Sequence, residues 1–170
     1  MGKFRDLIEK QQGTYVAVQW PKEVAKIITD TAKEFGVPNV LDDNDIHTTL
    51  IYSRVGFEHT PSKEDFGFST VGPNNSRKSM LVVFENRETG SRILALKLYS
   101  KQLENRHKEI MTNNPKATYD FDEYIPHITL SYDIKDYDIS NFDYEQFSER
   151  LEDASGGVEY TEPLNLDWEK

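Results

Sequence analysis

Apolar and polar positions along the chain follow two periods. Stretches rich in β-branched and aromatic residues mark strands, and apolar residues recurring every three to four positions mark helices between them. Thr14 to Trp20 predicts a strand that stops at Pro21. Val24, Ile27, Ile28 and Phe35 then recur at helical spacing from Pro21 to Phe35, with Gly36 placed to end the helix. The turn-forming run Asp42-Asp43-Asn44-Asp45 leads into a second strand over residues 46 to 53. Between His59 and Ser79, Pro61, Gly67, Gly72 and Pro73 predict mostly loop with one short strand. Ser79–Asn86 and Ile93–Ser100 read as a hairpin closed by Arg87-Glu88-Thr89-Gly90. Ser100 is placed to cap a helix through Leu103, His107, Ile110 and Met111 that ends near Asn113-Asn114-Pro115. A strand over 126 to 133, a helix from Tyr144 to Leu151, a loop at Gly156-Gly157, a last strand at Val158–Thr161 and a short tail complete the pattern. The expected class is α+β: two antiparallel-sheet lobes with helices outside.

One pattern repeats. Ile46-His47-Thr48-Thr49-Leu50-Ile51-Tyr52 aligns without gaps on Pro126-His127-Ile128-Thr129-Leu130-Ser131-Tyr132, sharing histidine, threonine, leucine and tyrosine at the same offsets. Side chains alternate across a strand, so His47 and Thr49 are expected on one face, with Thr48, Leu50 and Tyr52 on the other; the second copy follows suit. Two such strands, one from each half of the chain, would present two imidazoles and two hydroxyls to a common groove.

Composition narrows what that groove could serve. At 170 residues and 36% hydrophobic content the chain suits a single domain, 1–170. Its net charge of −10, with no basic run, argues against a long nucleic acid but leaves room for a small phosphate ligand in a local pocket. The absence of cysteine removes disulfides, thiolate nucleophiles and cysteine-ligated zinc. Met1–Asp6 leads into a polar segment without a signal-peptide core, and no stretch approaches transmembrane length, so a cytoplasmic monomer without membrane contact is expected.

The repeated residue types suit phosphodiester cleavage. That reaction needs a base for the attacking oxygen and an acid for the leaving oxygen, and histidine serves both near neutral pH. Threonine hydroxyls on the same face can donate to the non-bridging phosphate oxygens as charge builds up. Neither motif has the spacing of a zinc site, and no metal or cofactor is expected. His59, in a proline-bounded loop, and His107, on a polar helix, are expected at the surface. Gly72–Ser79 lacks the second glycine of a phosphate-binding loop, which argues against a nucleoside-triphosphate enzyme.

On these motifs the sequence resembles the two-histidine phosphoesterase superfamily, whose signature is a pair of His-x-Thr/Ser motifs in related lobes. Within it the chain is most similar to the bacteriophage anti-CBASS phosphodiesterases, which degrade cyclic oligonucleotide messengers of bacterial antiviral defence. Gly13-Thr14-Tyr15-Val16, Asp45–Tyr52 and Glu162–Trp168 carry that likeness. The resemblance implies a LigT-like fold of two pseudo-symmetric lobes. It implies that His47, Thr49, His127 and Thr129 surround a scissile phosphate, that Tyr15 and Trp168 stack on a base, and that Glu162 bonds a base edge. Small rings such as 3′,3′-cGAMP and cyclic trinucleotides are the implied substrates, met in the cytoplasm of an infected host. The same histidines would also serve an RNA-processing enzyme for 2′,3′-cyclic phosphates or 2′-5′ linkages. A non-catalytic sponge for cyclic nucleotides is the third reading.

Overall fold

The computed structural model describes residues 12–165. The first sheet runs β2 (His47–Ser53), β1 (Gln12–Gln19), β7 (Asp153–Asn165), β3 (Phe66–Ser69). The second runs β4 (Leu81–Glu85), β5 (Arg92–Lys97), β6 (His127–Ser131), and every pairing in both sheets is antiparallel. Helix α1 (Lys22–Glu34) joins β1 to β2, α2 (Lys101–Asn113) joins β5 to β6, and α3 (Tyr144–Arg150) precedes β7. The chain is therefore α+β, with two antiparallel sheets and three helices among the described residues.

The helices start and bury as their sequences direct. Pro21 precedes α1, which buries Ala25, Ile28 and Ala32. The Ser100 side chain accepts from Leu103 N at the start of α2, and the Asp143 side chain accepts from Gln146 N at the start of α3. One apolar cluster takes residues from both sheets, including Val16, Val18, Leu50 and Ile51 from the first and Leu94, Leu96, Ile128 and Leu130 from the second. Trp20 is buried in it and donates through its indole N–H to the hydroxyl of Thr48 at 2.9 Å, so this buried hydroxyl is satisfied.

Two expectations at the C-terminal end need correction. Gly156-Gly157 forms no loop: both lie inside β7, which starts at Asp153 and pairs with β3 through a register shift. Gly156 has φ +80°, and a Cβ on Gly157 would sit 2.6 Å from the Trp20 ring, so the two glycines provide a bend and a close approach. Residues 162–165, expected in a tail, continue the strand and pair with Gln12–Tyr15. Pro163 is tolerated there because β3 covers only the beginning of β7, leaving an unpaired edge at the proline.

Candidate active site

The two histidine strands occupy matching places. β2 pairs with β1 as β6 pairs with β5: Gln19 faces His47 and Ala17 faces Thr49, while Lys97 faces His127 and Ala95 faces Thr129. In both pairs the register then shifts by one residue, leaving Leu50 as the extra residue of β2 and Leu130 as that of β6. Each bulge frees a carbonyl, and another element takes it. Leu50 O accepts from His107 Nδ1 at 2.8 Å, and Leu130 O accepts from Leu41 N at 2.9 Å.

The bulges correct the simple alternation. His47 and Thr49 share a face as expected, but the extra residue turns Tyr52 back to that same face, opposite Tyr15. His47, Thr49 and Tyr52 are all partly exposed, while Thr48, Leu50 and Ile51 are buried. In the second copy His127 and Thr129 are partly exposed, Leu130 and Ser131 are buried, and Tyr132 is exposed.

Both imidazoles are held in the same way. His47 Nδ1 lies 2.7 Å from Asp45 O, and His127 Nδ1 lies 2.9 Å from Ile125 O. A carbonyl only accepts, so Nδ1 carries the hydrogen and Nε2 is the nitrogen left for proton transfer. Neither Nε2 has a hydrogen-bond partner among the described residues. The acidic turn expected at residues 42–45 supplies the first of these carbonyls: it is a single 3-10 turn, closed by the Asp42 side chain accepting from Asn44 N.

The two strands touch one another, and the segment that leads into each braces the other. Ahead of β2, Val40 bridges Ser131, and Pro38 O accepts from the Ser131 hydroxyl at 2.7 Å. Ahead of β6, Tyr124 donates to Thr49 O at 2.7 Å, and Thr118 N donates to the Ser53 hydroxyl at 3.0 Å. The histidines are thus carried on two sheet strands locked to each other, as a preorganised site needs.

Around this pair the two sheets differ. Tyr15 Oη lies 2.9 Å from Thr49 Oγ1, whereas the Thr129 hydroxyl has no partner among the described residues. Burial pushes the Tyr15 phenol far above its ordinary range against the Thr49 hydrogen bond, and the phenols of Tyr160 and Tyr132 add to the rise; the group stays protonated. Its ring packs at 6.3 Å from each of His47, Tyr52 and Tyr160. Glu162 pairs with Tyr15 and so shares its face of the sheet. Trp168 lies outside the described residues. In the second sheet Phe84 packs 6.1 Å from His127, and Lys97 stands on the His127 row, its ammonium group without a hydrogen bond or ion pair among the described residues.

Tyr52, Tyr132, Lys97 and Phe84 were not singled out from the sequence. Aligning β1 with β5, where Ala17 matches Ala95 and Gln19 matches Lys97, would have placed Lys97 beside His127. Arg77 is engaged with Glu152 and Ser148. Among the described residues no group of three or more histidines or carboxylates is placed to hold a metal ion. A cavity of about 640 Å³ opens between the start of β1, residues 54–59 and Thr161–Pro163; of the expected site residues it takes in only Glu162.

The other two histidines do not lie open at the surface, contrary to expectation: His107 is buried, and the side chain of the half-buried His59 is only 8% exposed. His107 stacks on Tyr124 with ring centroids 4.2 Å apart, and burial pulls its imidazole below the ordinary value, outweighing the hydrogen bond to Leu50 O. His59 Nε2 meets Glu159 Oε2 at 2.7 Å, where Glu159 also accepts from Ser62 N and twice from Arg106. Burial pushes the Glu159 carboxyl up, but the hydrogen bonds from Arg106, His59 and Ser62 N together bring it below its ordinary value. This network ties the middle of β7 to α2 behind the face that carries Tyr160 and Glu162.

Comparison with known proteins agrees over the whole described length. The family profile described as anti-CBASS protein Acb1 matches residues 12–170. A protein of that name from Enterobacteria phage T4 is 32% identical over 172 residues, covering 99% of this chain and 97% of that protein. Its namesake from Salmonella phage S16 is 33% identical with the same coverage, and that from Yersinia phage phiR1-RT is 32% identical over 94% of both chains.

Proposed function

The chain belongs to the anti-CBASS protein Acb1 family, and from that premise we propose that it suppresses CBASS defence as a metal-independent phosphodiesterase that opens cyclic di- and trinucleotide messengers such as 3′,3′-cGAMP. The reading treats the chain as one two-histidine phosphoesterase domain of LigT-like fold, acting in the cytoplasm of an infected cell. The observation that carries it is the matched pair of imidazoles, each with Nδ1–H held by a carbonyl two residues earlier and Nε2 left without a partner among the described residues.

In this mechanism the Nε2 of one histidine takes the proton of a ribose 2′-hydroxyl, whose oxygen attacks the adjacent phosphorus. The bond from phosphorus to the 5′-oxygen breaks, and the other histidine's Nε2–H protonates that leaving oxygen. The products are a 2′,3′-cyclic phosphate and a 5′-hydroxyl. Water then opens the cyclic phosphate with the histidines in exchanged roles. The Tyr15 phenol stays protonated and shares a hydrogen bond with Thr49 Oγ1 in which either hydroxyl can donate; with Tyr15 as the donor, the threonine hydrogen is free for a non-bridging oxygen. Thr129 offers its hydroxyl from the other side, and Lys97 adds positive charge beside His127 in an otherwise acidic protein. Tyr15 and Trp168 would bracket one base, with Glu162 accepting from its exocyclic amine.

Cyclic di-AMP compared with its 2′-deoxy counterpart tests the route. The ribose ring is expected to open and the deoxyribose ring to remain intact. Opening of both at comparable rates would rule out attack by the 2′-hydroxyl. Cleavage of a 2′,3′-cyclic mononucleotide or a 2′-5′ dinucleotide but of no ring would transfer the site to RNA processing, and tight binding without cleavage would make the protein a sponge.

A further inference from the structure

The two histidine strands meet as edges of their sheets: β2 ends the first, β6 ends the second, and they touch without pairing into one sheet. Their spacing therefore depends on links made by other parts of the chain, and the two sides are linked by different means. On the β6 side the bulge carbonyl is taken by backbone, Leu130 O accepting from Leu41 N beside the Val40–Ser131 bridge. On the β2 side the work falls to side chains. Thr49 O and Leu50 O, consecutive carbonyls at the bulge, accept from Tyr124 Oη at 2.7 Å and from His107 Nδ1 at 2.8 Å. The two donors come from different elements, the segment before β6 and α2, yet they form one unit. Their rings lie within 7° of parallel with centroids 4.2 Å apart, and Tyr119 packs against both at 6.2 and 4.8 Å.

Tyr124 reaches both halves of the site. Its hydroxyl holds the carbonyl of Thr49, whose own hydroxyl meets Tyr15, so Thr49 is pinned at both ends. The next residue, Ile125, supplies the carbonyl that holds His127 Nδ1, and Pro126 O accepts from Leu98 N. Residues 114–126 form no helix or strand, so the place of Ile125 O depends on such anchors. The carbonyl that holds His47 is differently supported, in a 3-10 turn closed by the Asp42 side chain. Burial pushes the Tyr124 phenol far above its ordinary range, so it remains a hydrogen-bond donor at any pH near neutral.

We propose that Tyr124 is a positioning residue: its bond to Thr49 O sets the spacing between His127 and the Thr49 hydroxyl across the groove, and His107 keeps the Tyr124 ring in place. Tyr124 touches no reacting atom in this role. Loss of its hydroxyl slows the chemical step and leaves ring binding, which other residues carry, nearly unchanged. The inference rests on the phosphodiesterase reading.

Tyr124→Phe keeps the stacked ring and removes only the hydroxyl. Tyr144→Phe is the control, because Tyr144 Oη donates to Thr70 O at the same 2.7 Å in a buried pair outside the site. On cyclic di-AMP, Tyr124→Phe is expected to lower kcat by between roughly 5-fold and the roughly 100-fold that a 1 Å misplacement can cost, with Kd within about twofold of wild type. Tyr144→Phe is expected to keep the wild-type kcat even where it lowers the melting temperature. His107→Asn keeps a donor for Leu50 O but loses the stacked ring; it should lose part of kcat, and adding it to Tyr124→Phe should cost less than the product of the two single losses, as for residues that act through one unit. Wild-type kcat in Tyr124→Phe, equal kcat losses in the two tyrosine variants, or a loss confined to Kd would overturn the proposal. Imidazole NMR signals of the free protein give a second readout that needs no turnover: those of His127 should move in Tyr124→Phe and stay in place in Tyr144→Phe. If the wild type opens no ring, the phosphodiesterase reading fails, and the positioning of His127 is decided by these signals alone: movement in Tyr124→Phe only supports it, and unmoved signals overturn it.

Discussion

Replacing Tyr15 separates two roles that the structure gives to one side chain. Tyr15→Phe keeps the ring, with its packing on His47, Tyr52 and Tyr160, and removes only the hydroxyl that meets Thr49 Oγ1 at 2.9 Å. A hydrogen bond between neutral groups contributes about 0.5–1.5 kcal/mol net, which corresponds to about a 2- to 13-fold fall in rate if Thr49 must be oriented in the transition state. Because the stacking surface survives, the fall is expected in kcat with KM nearly unchanged. Tyr15→Ala also removes the stacking surface, worth about 1–3 kcal/mol per base, so kcat/KM should drop by about 10- to 2,000-fold in total, with KM rising. The assay is opening of cyclic di-AMP, with products separated by chromatography and folding checked by circular dichroism. A Tyr15→Phe protein with wild-type kcat would refute the orienting hydrogen bond. Equal effects of Phe and Ala on KM would refute stacking on the ring.

Two predictions concern the histidines that the mechanism does not use. Glu159→Gln leaves the largely buried Arg106 guanidinium short of its main partner, and breaking a buried pair costs about 3–5 kcal/mol; urea unfolding should show a loss toward the lower end, because Glu109 also holds Arg106. A loss below about 1 kcal/mol would contradict the network. Since the Glu159 carboxyl is depressed in the folded protein, its contribution is full above the ordinary carboxylate range and disappears as pH falls through the lowered value. His107 is likewise held neutral, so below its ordinary value of 6.5 the unfolded chain takes up a proton that the folded chain refuses. Stability should therefore fall on acidification across that window by at most about 1.4 kcal/mol per pH unit. In His107→Asn the slope of the melting temperature over this window should flatten; an unchanged slope would contradict the assignment.

Most of the architecture was legible because it rests on local signals. The Ser100 cap and the Pro21 stop act within a few residues, and the repeated His-x-Thr motif kept its residue types in both halves. What stayed hidden depends on distant partners or on a break in periodicity. Strict alternation put Tyr52 on the wrong face because the bulge at Leu50 forms only when β2 pairs with β1 and His107 meets the freed carbonyl. His59 looked like a surface residue because the groups that bury it, Arg106 and Glu159, lie 47 and 100 residues away. The glycine pair at 156–157 resembled a turn, and only the Trp20 ring beneath it explains why glycines stand inside a strand. The second half of the internal repeat, Val16-Ala17-Val18-Gln19 against Leu94-Ala95-Leu96-Lys97, escaped notice because only Ala17 and Ala95 are identical.

The central claim is that two histidines alone move the protons of ring opening. Its most direct test is incubation of purified protein with 3′,3′-cGAMP and cyclic triadenylate in excess EDTA, beside His47→Ala and His127→Ala. The account predicts linear products from the wild type, undiminished by the chelator, and a loss in each variant of at least the roughly 100-fold typical of removing a general acid or base. Activity abolished by EDTA, or retained in either variant, would contradict it.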